Sequence, residues 1–148
     1  MAAVRTAEVS WSGDLATGSG TILYVSSGAI TRLPVSWAAR TEGHGGKTSP
    51  EELLAAAHAS CFSMALSARL GKNGTPPENL QVTARVTFDN PGGAGWKVAS
   101  SALAVRGRIP GIDEAKFREL AEDAKENCPI SVALKGNVEL SVEATLES

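Results

Sequence analysis

Two cysteines, Cys61 and Cys128, have the greatest chemical reach in this 148-residue chain. Cys61 lies in the run LLAAAHASCFSMAL, with Ala57, Met64 and Ala65 at helical spacing around it. A thiol there commonly serves as a small core residue. A reactive thiol needs a nearby positive charge or hydrogen-bond donor and some access. Arg69, the nearest charge further along the run, stands about 12 Å away on a helix, too far to activate it. Cys128 directly precedes Pro129 at an expected helix start, where free N–H groups and the helix dipole favour a thiolate. The chain between them leaves open whether the two sulfurs meet. If they do, one thiolate can be oxidised to a sulfenic acid and the other can condense with it to a disulfide.

The same atoms admit a metal reading. His58 and Cys61 share one helical face, and Cys128 with His44 could complete four ligands. The paired CxxC spacing of structural zinc sites is absent, however, and His58 reads as a satisfied core histidine. Arg40 and Glu51 flank a glycine-rich loop and read, by themselves, as a solvated arginine and a helix-dipole carboxylate. Along one helix the rise from Glu51 to Cys61 is about 15 Å. A site using both needs chain reversal or a neighbouring subunit.

The elements that must position these residues follow from punctuation and period. Ala7, Val9 and Trp11 alternate with polar residues, Thr21–Val25 is a β-branched and aromatic run, and Ile30–Trp37 is a weaker strand that Pro34 places at an edge. Thr41–Thr48 reads as an irregular loop. Ser49-Pro50-Glu51 opens a helix with a cap, a preorganised first residue and an acidic first turn, running to about Leu70. That helix is apolar nearly all round, which predicts burial on most sides and, for so small a chain, a second subunit. Leu80–Phe88 alternates cleanly, and Trp96–Ile109 is its return strand, with a bulge near Ser100-Ser101. Asp113 caps a helix with the stripe Phe117, Leu120, Ala121 and Ala124. A short helical turn runs from Cys128-Pro129 through Leu134, and Val138–Leu146 is a final strand. The order βββ-α-ββ-α-β predicts an α+β fold of antiparallel sheets covered by helices.

Composition bounds the function. The length suits one domain spanning 1–148, and 43% hydrophobic with 20% charged residues suits a globular chain. The net charge of −2 gives no footprint for nucleic acid or an anionic membrane. Three Trp, three Phe and one Tyr supply no base-stacking platform. The opening MAAVRTAEVSWSG has no apolar h-region, and Leu53–Leu70 is interrupted by His58, Ser60, Ser63, Ser67 and Arg69, which predicts neither a secretory signal nor a membrane span. A cytoplasmic location is expected, where two cysteines suggest redox chemistry before a permanent staple. No dinucleotide fingerprint, P-loop, nucleophile elbow or HExxH is present, so no cofactor is expected, and Gly43–Thr48 reads as a flexible loop.

The stretch TSPEELLAAAHASCFSMALS, Thr48 to Ser67, followed by NCPISVAL, Asn127 to Leu134, resembles the OsmC/Ohr family of thiol-dependent hydroperoxide reductases. VSWSGDLATGSGTI and IPGIDEAKF extend the likeness over nearly the whole chain. The histidine in AAHASCF and the VAL after CPIS resemble the OsmC branch. The resemblance implies an intertwined homodimer, with antiparallel sheets around a long central buried helix and two active sites, each built from both subunits. It assigns Cys61 as the peroxidatic cysteine, Cys128 as the resolving one, Glu51 as the active-site carboxylate and Arg40 as the arginine paired with it. Thr41 stands where the family commonly has an aromatic residue. The implied substrate is an organic hydroperoxide, the reductant a small dithiol of lipoyl type, and no metal or cofactor is implied. The competing reading is a metal- or redox-responsive binding protein without turnover.

Overall fold

The alternating residues near the N-terminus form β1 (Ala7–Ser12), β2 (Ser19–Val25) and β3 (Thr31–Val35) in the computed structural model, which describes residues 1–148. They pair antiparallel in the order β1-β2-β3, so Pro34 does lie on an edge strand, where its missing N–H is harmless. Trp11 and Val35 close over Gly20, where a Cβ would stand 2.7 Å and 2.8 Å from their side chains. The third strand is shorter than expected. Ser36 leaves it and caps a one-turn helix, α1 (Trp37–Thr41), accepting a 3.1 Å bond from the Ala39 amide. So short a helix has too few residues to show a period, and the loop predicted from Thr41 begins after it.

Helix α2 (Pro50–Lys72) starts as its residues dictate: the Ser49 hydroxyl accepts from the Glu52 amide at 3.1 Å and Pro50 occupies the first turn. It runs past Gly71. The chain divides into two compact units, Met1–Leu53 and Leu54–Ser148, and α2 belongs mostly to the second. There it buries the single stripe His58, Phe62, Leu66 and Leu70, while Met64 is 71% exposed. Burial on most sides is therefore not reached within one chain. By length and apolar composition α2 also meets the requirement for crossing a bilayer, which its polar interruptions were expected to deny. Its buried stripe instead packs on protein.

The second unit contains β4 (Asn79–Asp89), β5 (Lys97–Arg108), α3 (Glu114–Asn127), α4 (Pro129–Leu134) and β6 (Glu139–Glu147), with sheet order β4-β5-β6. β4 and β5 are antiparallel, and the bulge falls at Ala99, since Thr87 faces Ser100 while Phe88 faces Val98. That extra residue turns Ser101, Leu103 and Val105 to the inside. β6 pairs parallel to β5, which corrects the expectation of wholly antiparallel sheets. Alternation reveals which face of a strand is buried, not its direction. The connection α3–α4 is a crossover, and a crossover returns the chain parallel to the strand it left.

The core joins Phe62, Leu66 and Leu70 of α2, Leu103 and Val105 of β5, Ile109, and Phe117, Ala121 and Ala124 of α3. Asp113 caps α3 by accepting from the Lys116 amide at 2.7 Å. Arg69 of α2 pairs with Asp123 of α3 across this packing. Gly107 lets α3 approach the sheet, for a Cβ there would stand 3.0 Å from Phe117 Cζ and 3.1 Å from Leu80 Cδ2, and closer still to Ile109 Cδ1. Gly107→Ala should therefore destabilise by about 1–3 kcal/mol despite the better strand propensity of alanine. The check is a lowered urea midpoint with an unchanged m-value.

Candidate active site

A thiol on a core helix is inert until another element supplies a partner, and here the partner is the junction between α3 and α4. Cys128 ends α3, its amide donating to the Ala124 carbonyl at 2.8 Å, and starts α4, its carbonyl accepting from the Val132 amide at 3.0 Å. Its side chain is fully buried in the same core that holds Phe62 and Leu66. Cys61 is half-buried on α2 and packs against that core. Both cysteines are free, and their side chains are near enough for Cys128 to act on the Cys61 thiol. The structure thus brings together the two sulfurs whose meeting the sequence left open.

One backbone donor also reaches Cys61. Pro129 has no N–H, so the first available amide of α4 is that of Ile130, and it acts on the Cys61 sulfur. Sequence reasoning expected the free amides of this turn to serve Cys128; the geometry gives this one to Cys61. Burial is the largest influence on the Cys61 thiol and pushes its pKa up. The Cys128 side chain pushes it the same way, and the Ile130 amide opposes both. Unaided by a cation, Cys61 is a protonated thiol at neutral pH.

Around Cys61 the apolar side chains divide. Phe62 and Leu66 are fully buried in the core stripe, so they are not available to wall a pocket. Leu54 and Met64 lie on the side of α2 that carries Cys61, by helical spacing.

Arg40 and Glu51 form the other expected pair, within the N-terminal unit. Arg40 closes the single turn of α1, and Glu51 opens α2 with a nearly buried carboxylate. The guanidinium donates from Nε to both carboxylate oxygens at 3.0 Å and from Nη2 to Oε1 at 2.7 Å. Such a charge-assisted fork fixes the plane of the arginine as well as its charge. Thr48 steadies the approach to α2: its amide donates to the Pro34 carbonyl at 3.1 Å and its hydroxyl to Glu52 at 3.2 Å.

His58 is the core histidine expected from sequence, with two partners the sequence could not name. Nδ1 lies 2.6 Å from the Ser101 hydroxyl of β5 and Nε2 lies 2.8 Å from the Ser131 hydroxyl of α4. All three side chains are fully buried. With both ring nitrogens engaged, His58 does not present a free lone pair toward Cys61 and Cys128, which counts against the four-ligand reading. Its partners lie 43 and 73 residues away in the chain, so no local motif could have revealed them.

Relatives of this chain are found both by sequence and by fold. The family model described as OsmC-like protein matches residues 43–143. The peroxiredoxin OsmC of Escherichia coli is 39% identical over 139 residues, covering 94% of this chain and 95% of that protein. The organic hydroperoxide resistance protein of Xanthomonas axonopodis is 32% identical, covering 86% and 88%. Among solved structures, OhrB of Bacillus subtilis superposes with a TM-score of 0.70 at 28% identity, covering 95% of this chain and 98% of its own.

Burial holds the pKa of His58 below its ordinary 6.5, so the folded protein resists protonating it. As pH falls below 6.5 the unfolded chain binds that proton first, and stability drops by up to about 1.4 kcal/mol per pH unit until the folded value is passed. The His58 contribution is intact above that range. Urea midpoints between pH 7.5 and 5 should fall for the parent protein, and fall less for His58→Gln.

Proposed function

The chain belongs to the OsmC-like protein family, and on that footing we propose that it is a thiol-dependent peroxidase that reduces organic hydroperoxides to alcohols. Relatives that match nearly the whole chain are named as a peroxiredoxin and as an organic hydroperoxide resistance protein, which supports a role in removing peroxides. The observation that carries the finer reading is the direct contact between the Cys61 and Cys128 side chains.

The Cys61 thiolate attacks the terminal peroxide oxygen. The O–O bond breaks, the alkoxide leaves and takes a proton to become the alcohol, and the sulfur is oxidised to a sulfenic acid. Cys128 then attacks that sulfur. The S–O bond breaks, water leaves with the thiol proton, and a Cys61–Cys128 disulfide remains, which protects Cys61 from over-oxidation. A small dithiol, of lipoyl type by family likeness, reopens the disulfide by exchange and is itself oxidised. A reducing cytoplasm is the compartment this cycle requires.

The first step needs a thiolate, and burial opposes one. Arg40, held in orientation by Glu51, is the guanidinium we assign to lower the Cys61 pKa and to bind the peroxide oxygens. The working form is the family's homodimer. Its support here is apolar surface that one chain leaves uncovered: Val9, Trp11 and Tyr24 on the first sheet and Met64 on α2 are 42–71% exposed. Light scattering on the purified protein should return twice the chain mass.

Alkyl hydroperoxides should be preferred over hydrogen peroxide, since each buried CH₂ of a substrate contributes about 0.8 kcal/mol; equal kcat/KM values would refute the preference. One equivalent of cumene hydroperoxide should remove both free thiols of each chain, and a binding protein without turnover would keep them. Cys61→Ser should abolish peroxide consumption. Cys128→Ser should allow one fast oxidation and then stall or over-oxidise. Arg40→Ala should move the pH midpoint of Cys61 alkylation up by about 1 unit or more, and an unmoved midpoint would remove the arginine from the mechanism.

A further inference from the structure

The buried trio Ser101–His58–Ser131 is the one polar network in the core that the proposed cycle does not use, and its placement relates it to both sulfurs. His58 stands one helical turn before Cys61 on α2, and Ser131 stands one turn after Cys128 on α4. The 2.8 Å bond between them therefore ties the two thiol-bearing elements beside their point of contact. We propose that His58 is a positioning residue for disulfide closure: anchored to the sheet through Ser101, it holds α4 through Ser131 so that Cys128 meets the Cys61 sulfur in line for attack.

The need for such a tie follows from how α4 is held. Helix α2 is fixed by Phe62, Leu66 and Leu70 in the core, whereas α4 is six residues long with Pro129, Val132 and Ala133 facing outward. Ile130 packs only in part against the core, and Ser131 is the residue of α4 that is fully buried. A turn that short has little packing to set its rotation, and a hydrogen bond from a fully buried hydroxyl sets it. The imidazole suits the task because one nitrogen donates and the other accepts, and each serine hydroxyl can take the complementary role in either tautomer. Ser101, on the central strand β5, closes the other side of the ring and keeps it from turning.

This inference rests on the peroxidase reading for its biological meaning, but closure of the dithiol can be measured apart from peroxide chemistry. The oxidant diamide adds to one thiol, and the second thiol displaces it, forming the disulfide and a reduced hydrazine. With diamide, Ser131→Ala and His58→Gln should close the disulfide at least tenfold more slowly than the parent. With cumene hydroperoxide both should form the Cys61 sulfenic acid within about threefold of the parent rate, then accumulate sulfinic acid detectable by mass spectrometry. A general loss of structure would slow both steps together and lower the thermal midpoint, so the split between them is the signature of positioning. Closure at the parent rate in either folded variant overturns the inference. A parent protein that closes with diamide but ignores cumene hydroperoxide overturns the peroxidase reading, and the diamide comparison still decides the role of His58.

Discussion

Everything chemical in this molecule depends on one packing event: α2 lies against the turn between α3 and α4, so that a half-buried thiol and a fully buried one become neighbours. Neither cysteine has partners within its own element that would make it more than a core residue. The stripe His58, Phe62, Leu66 and Leu70 sets which side of α2 enters the core, and Phe117, Ala121 and Ala124 bring α3 to meet it. Cys128 continues the α3 stripe by one further turn. Its position beside Cys61 is therefore a by-product of ordinary apolar burial, and Gly107 permits the close approach of Phe117.

Two opposing demands meet at that contact. A sulfur held by core packing is well positioned but poorly ionised, because the same burial penalises the charged form. Exposure would ionise it and lose the positioning. The chain answers with a fixed polar group in place of water, the Ile130 amide, which opposes the rise that burial imposes on the Cys61 thiol. Donors that are already oriented need no reorganisation when charge develops.

Much of this was legible in the sequence because the relevant signals are local. Ser49 and Asp113 cap the helices they precede, Leu80 to Phe88 alternates as the strand it forms, and Pro34 marks an edge. The four candidate residues fell into two contacting pairs, Cys61 with Cys128 and Arg40 with Glu51. What sequence could not supply was non-local or too short. One turn of α1 carries no period. The direction of β6 leaves no mark in its alternation, and only the crossover decides it. Ser101 and Ser131 are unremarkable serines until folding places them on either side of one imidazole. The inward face of α2 was not legible either: read as apolar nearly all round, it buries the one stripe His58, Phe62, Leu66 and Leu70, which alanines and serines around the rest of its circumference conceal.

The protonated state of Cys61 has a consequence for the life of the protein outside its reaction. A neutral thiol is a weak nucleophile toward alkylating metabolites and toward the small disulfides of the cell, not only toward peroxides. Burial thus makes the newly folded chain chemically dormant. Under the proposed cycle a guanidinium is what rouses that sulfur, so readiness to react belongs to the assembled site and not to the cysteine alone.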